Sequence, residues 1–153
     1  MDNNIGNESS VYAKIIETHK NQPGGVRWRV KAHANVIEKH LNPGEEVIFA
    51  FAAQKGLSSL EIFNTYAVAV TNKRIILAQK RLLFGYLFLS ITPDMFNDLT
   101  VYTGIIWGKV VIDTLKEKVT MTNLPKNSLS DIETSISQMM MREKQKYASK
   151  EKK

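Results

Sequence analysis

The chain has 153 residues, 43% of them hydrophobic and 24% charged, with no cysteine and a formal charge of +6. That is enough for one globular domain with its own core and no disulfide or structural metal; zero cysteine excludes thiolate catalysis, Cys-ligated zinc, iron–sulfur clusters and disulfide frameworks. Residues 142–153 carry six basic and two acidic side chains, so most of the charge sits at the C-terminal end and the body is only +2, too little to define a nucleic-acid surface by itself.

Residues 1–10 are polar and read as a flexible N-terminus, without the basic start and apolar stretch of a secretory signal. The longest apolar segment, residues 82–91, is interrupted by Gly85 and Tyr86 and is about half of the ~20 residues a spanning helix needs. A cytoplasmic protein is expected. Residues 11–41 form a helical extension. In its first part Val11, Ile15, Ile16 and His19 recur at helical spacing until Asn21-Gln22-Pro23-Gly24-Gly25 breaks the pattern. In its second part Val26, Val30, His33, Ala34, Ile37 and Leu41 make one apolar stripe over residues 26–41. Asn42-Pro43-Gly44 ends it, because Pro43 lacks an amide hydrogen and Gly44 tolerates positive φ.

Beyond Gly44 the helical period gives way to seven short β-rich runs at 46–53, 63–71, 74–79, 84–91, 99–103, 105–113 and 118–122. Asn72-Lys73 joins the second and third as a two-residue hairpin connection in which Asn is suited to the left-handed region. Alternation sets Tyr66, Val68 and Val70 on one face and Ala67, Ala69 and Thr71 on the other, the small alanines allowing close packing. A final helix begins near Ser128 or Ser130, each with an acid three residues on as in a capping box. Its stripe is Leu129, Ile132, Ile136, Met139 and Met140, ending near Met141. Residues 42–141 are thus one β-rich domain with a closing helix, and 142–153 a basic flexible tail.

An antiparallel barrel with an open corner is closed economically by one amphipathic helix. The segments Leu41-Asn42-Pro43-Gly44-Glu45-Glu46-Val47-Ile48, Ala69-Val70-Thr71-Asn72-Lys73-Arg74-Ile75-Ile76 and Gly108-Lys109-Val110-Val111-Ile112 resemble the bacterial pleckstrin-homology-like domains of the YokE-like group over residues 41–139. The resemblance implies a PH-like seven-stranded antiparallel barrel capped by a C-terminal helix, here with an N-terminal helical extension, and no catalytic residues. Lipid-binding pleckstrin domains gather several cations in the loop between the first two strands. Residues 54–62 offer Lys55 alone beside Glu61, so specific phosphoinositide binding there is not expected.

Few residues carry chemistry. His19, His33 and His40 have no zinc-site spacing or Cys partners, so His33 reads as a packing residue and His40 as a surface one. No G-x-S-x-G elbow is present. Glu45, Glu46, Asp94 and Asp98 read as turn and capping residues. Gly24-Gly25 with Arg27 and Arg29 falls short of a phosphate loop. The candidate contact residues are the basic pairs Lys73-Arg74 and Lys80-Arg81, which bracket the third strand, and the aromatics Trp28 and Trp107. The expected function is a non-catalytic interaction module acting through protein binding or self-assembly. The alternative is a peripheral adaptor drawn to anionic lipid by its basic turns and tail. No cofactor, metal, small-molecule substrate or specific nucleic acid is expected.

Overall fold

The computed structural model describes residues 10–20, 29–55 and 65–152. Two helices, α1 (Ser10–His19) and α2 (Val30–Glu38), precede seven strands: β1 (Val47–Lys55), β2 (Thr65–Thr71), β3 (Ile75–Lys80), β4 (Tyr86–Ile91), β5 (Phe96–Thr103), β6 (Trp107–Thr114) and β7 (Lys118–Pro125). A 3-10 turn, Lys126–Ser128, leads into α3 (Leu129–Glu151). All strand pairs are antiparallel, in the order β4-β3-β2-β1-β7-β6-β5. This is the PH-like architecture: a curled sheet whose end strands, β4 and β5, are not paired with each other.

Curling is built into the register. Gly108 pairs with Leu124 but Val110 pairs with Met121, so β7 carries an extra residue there, and Asn123 takes a left-handed φ of 55°. The bulge bends β7 where Gln54 and Lys55 of β1 meet Thr122 and Met121. The rest of β1 is not laddered to β7. There α1 supplies the partners: the Thr18 hydroxyl donates to Ala50 O at 2.7 Å, and the Ala52 N–H donates to His19 Nε2 at 2.9 Å. Unpaired strand groups that would be costly if buried bare are satisfied by helix side chains.

The alternation read in β2 divides two cores. Val68 and Val70 join Phe51, Ile75, Ile112 and Met121 in the principal core, which α3 closes with Leu129, Ile132, Ile136, Met139 and Met140. Each such side chain contributes about 1.5–3 kcal/mol relative to exposure. Ala67 and Ala69 face the other way, with Ala50, Ala52, Ile76 and Ala78, against Val11, Ile15, Val30, Ala34 and Ile37 of α1 and α2. Small side chains on the sheet let both helices sit close. Among the described residues of the extension, Val11, Ile15, Val30, Ala34 and Ile37 are therefore buried on the barrel, while Ile16 is exposed. Glu38 of α2 also accepts from Ser10 Oγ and Val11 N–H, holding the start of α1.

Four expectations change. Helix α2 starts at Val30, after Arg29 in a left-handed conformation (φ 67°), and residues 21–28 lie outside the described residues. Neither capping box forms at α3: Ser128 occupies the cap position without a capping bond, and its hydroxyl donates instead to Thr18 O at 3.3 Å, tying α3 to α1. Among the described residues the non-glycine positive φ values are those of Arg29 and Asn123, so Asn72 is not left-handed. Finally, α3 runs ten residues past Met141, so residues 142–151 are helical.

Candidate functional site

Two of the three segments that carry the family resemblance, residues 41–48 and 69–76, clasp each other. Gly44 (φ 71°) turns the chain so that Glu45 lies beneath it. Glu45 Oε2 accepts from Asn42 N–H (2.9 Å) and Oε1 from the Thr71 hydroxyl (2.8 Å). Arg74 donates to both carboxylate oxygens, Nε to Oε1 at 2.8 Å and Nη2 to Oε2 at 2.9 Å, and also to His40 O and Ser90 Oγ. Asn72 reaches back with its side chain, accepting from Glu46 N–H and donating to Gly44 O. The turn itself is closed by the Thr71 hydroxyl, which accepts from Lys73 and Arg74 N–H. That is why Asn72 needs no left-handed backbone. Burial pushes the Glu45 carboxyl up, but hydrogen bonds from Arg74, Asn42 and Thr71 and the Arg74 charge more than offset it, so the group titrates below the ordinary carboxylate value.

Arg74 therefore holds this corner together rather than facing an anionic surface. Lys73 is exposed beside it, and Lys80 and Arg81 are exposed at the far end of β3, about 20 Å away at roughly 3.3 Å per residue. The two basic pairs do not form one patch. Register gathers other cations near Lys80 instead: Gln54 pairs with Thr65, Gln79 Nε2 donates to Thr65 O, and Lys55 pairs with Met121, so Lys55, Lys80, Arg81, Lys116 and Lys118 share one end of the sheet. Among the described residues, Glu117, Asp113 and its β5 register partner Asp98 are acids at that same end.

That end also exposes apolar side chains in a row. In the β3–β4 turn Leu82 is 57% exposed, Leu83 86% and Phe84 86%, and on the β6–β7 turn Leu115 is 69% exposed. Phe84 is expected in a strand over residues 84–91, but β4 begins only at Tyr86. The missed signal is three consecutive apolar residues between Lys80-Arg81 and Gly85, a pattern that strand alternation does not accommodate. The turn is firmly rooted. Arg81 N–H donates to Gly85 O at 3.1 Å, with Gly85 at φ 75°. From α2 and its N-cap, Arg29 Nη2 donates to Arg81 O (2.9 Å) and His33 Nδ1 accepts the Lys80 N–H (2.8 Å). Burial and the nearby Arg29 charge lower the His33 pKa from 6.5 to about 4, consistent with a ring nitrogen that must stay unprotonated to accept. The ring of His40 bonds Tyr86 Oη through Nε2 (2.9 Å) and Val36 O through Nδ1 (2.6 Å). A small cavity of about 40 Å³ lies at this end of the sheet, lined by Leu87 and Leu89 of β4 on one side and by Glu117 and Lys118 at the start of β7 on the other.

Trp107 is half-buried at the opposite end of the sheet, where it borders an open cleft of about 600 Å³ with Ile105, Ile106, Phe49 and the polar end of α1. Trp28 lies outside the described residues, as do residues 56–62 of the loop weighed for headgroup binding and the Gly24-Gly25 segment. The three histidines are spread over separate contacts, and the described residues contain no group of three or more His, Asp or Glu able to hold a metal ion. No described helix is long and apolar enough to cross a membrane.

Comparison with known proteins adds the family. Residues 41–138 match the family model described as bacterial PH domain. Among solved structures, the pleckstrin homology domain from Shewanella amazonensis SB2B aligns at 14% identity over 67% of this chain and 80% of that one, with a TM-score of 0.41. No curated protein matches.

Proposed function

The chain belongs to the bacterial PH domain family, and from that premise we propose that it is a non-catalytic interaction module whose contact surface is the barrel end carrying the β3–β4 turn. One observation carries the reading: Leu82, Leu83 and Phe84 stand consecutively exposed beside Lys80 and Arg81 on a turn braced from behind by α2. Contiguous exposed apolar surface rimmed by polar residues marks interaction sites. The polar groups that chemistry would draw on serve the fold instead: Glu45 and Arg74 in the clasp, His19 on β1 and His33 on β3. The N-terminal helices are covered by the barrel, so they support the surface and do not compete with it. We take the protein to work in the cytoplasm, which a chain free of cysteine suits.

The test is site-specific photocrosslinking in the cells that make the protein. A photoreactive residue at Phe84 is expected to give adducts, and one at Tyr102, which is exposed on β5, to give few. Equal labelling at both positions, or none at Phe84, overturns the reading.

A further inference from the structure

Resting on that contact surface, we infer that its partner is a second copy of this chain: the two β4 strands pair antiparallel about a two-fold axis at Phe88, and the apolar tip of each copy lies on the β4–β5 connection of the other. The outer edge of β4 is open to such pairing. β4 is an end strand of the sheet, and among the described residues no backbone hydrogen bond reaches its outer side. The bond from Arg81 N–H to Gly85 O sets the phase of the β3–β4 ladder, so Leu87, Leu89 and Ile91 bond β3, and the N–H and C=O groups of Tyr86, Phe88 and Ser90 point away from it. An edge of this kind templates another strand unless proline or charge blunts it, and Tyr86–Ile91 carries neither.

Self-complementarity selects a second copy as the occupant. With Phe88 opposite Phe88, Tyr86 faces Ser90 on the outer side and Leu87 faces Leu89 on the core side, so ring meets ring and leucine meets leucine. Continued past both strand ends, the same register sets Phe84 beside Thr92, Leu83 beside Pro93 and Leu82 beside Asp94 of the second copy. The exposed Asp94 then lies next to the exposed cations Lys80 and Arg81. Centring the pair on Leu89 instead would bring Asp94 against Phe84, so charge chooses the register at Phe88. Both contact segments are shaped in advance: Arg29 and His33 hold the base of the tip, and bonds from Met95 N–H to Thr92 O and from Phe96 N–H to Pro93 O hold the connection. Little ordering cost is added on docking.

The experiment is sedimentation equilibrium of the full chain, which is expected to show monomer and dimer and nothing larger, because a two-fold interface closes on itself. Arg81→Glu and Asp94→Arg, both at exposed positions, should each raise the dimer dissociation constant about tenfold with an unchanged Tm. The double variant Arg81→Glu/Asp94→Arg restores opposite charges across the axis and should return the constant to within about threefold of the parent; Lys73→Gln, at the other end of β3, should leave it unchanged. The chain has no cysteine, so Phe88→Cys places a single thiol on the axis. The Cα separation of a hydrogen-bonded pair, about 5.5 Å, suits a disulfide, and mild oxidation should link two copies there but not through Tyr102→Cys. The charge series keeps the test independent of packing lost at Phe88. Absence of charge rescue, or a disulfide that forms no faster at Phe88→Cys than at Tyr102→Cys, overturns β4 pairing. A monomer at every concentration whose Phe84 adducts contain only another protein overturns the second copy but leaves the contact surface standing; a monomer without adducts overturns both.

Discussion

Replacing Arg74 with methionine separates a structural cation from a contact residue. The Glu45 side chain is 0% exposed and that of Arg74 14%, and the guanidinium makes a two-point contact with the carboxylate. Methionine keeps much of the aliphatic volume but leaves Glu45 with Asn42 N–H and the Thr71 hydroxyl as its remaining donors. Breaking a buried pair from one side typically costs about 3–5 kcal/mol. The bonds from Arg74 to His40 O and Ser90 Oγ go with it, so the upper half of that range is expected. Arg74→Lys should recover only part of the loss, since an ammonium lacks the planar fork. In Glu45→Gln/Arg74→Met the stranded charge is gone, and the double variant should lose less than the two single losses added together, with a coupling of about 2 kcal/mol. Urea unfolding of the four proteins gives the cycle. A loss below about 1 kcal/mol for Arg74→Met, or strict additivity, would refute the clasp as the organiser of this corner.

Other outcomes follow from the packing and the titrating groups. Gly108→Ala should destabilise by about 1–3 kcal/mol in thermal or urea unfolding, because a Cβ there meets the Leu129 side chain and lies 2.9 Å from Tyr102 O. Ala69→Leu should cost about 1–3 kcal/mol by forcing α1 and α2 off the alanine-lined face of β1–β3. Stability should fall as pH drops from 6.5 toward 4: the unfolded chain protonates His33 in that window while the folded one does not, giving up to about 3 kcal/mol at 1.36 kcal/mol per unit. Glu45, whose folded pKa is depressed, adds to the loss as pH falls through that lower value. His33→Gln should flatten the slope of Tm against pH between 4 and 6.5; an unchanged slope would show that His33 does not set it.

Local patterns made most of the fold legible. Seven β-rich runs between turn residues became seven strands, and the alternation of Val68 and Val70 with Ala67 and Ala69 matched the two cores. What could not be read depends on partners distant in the chain. Arg74 looks like any hairpin cation until Glu45, 29 residues earlier, is brought beside it. Ser128 looks like a helix cap until Thr18 O, 110 residues away, takes its hydroxyl. The helical course of residues 142–151 was hidden because the apolar stripe ends and charge takes over; i,i+3 pairs such as Lys146–Glu143 at 2.7 Å accompany it. The exposed tip was hidden for the opposite reason: Leu82, Leu83 and Phe84 are residue types that usually mark a strand or core, and only their isolation from the rest of the structure shows that the fold leaves them outside.

Hydrogen exchange of the full chain, with and without the partner that crosslinks at Phe84, tests the account at its centre. Protection is predicted to rise across residues 81–86 while residues 104–107 beside Trp107 and the exposed face of α3 stay as they were. Unchanged exchange in that turn, or new protection confined to the cleft at Trp107, would contradict it.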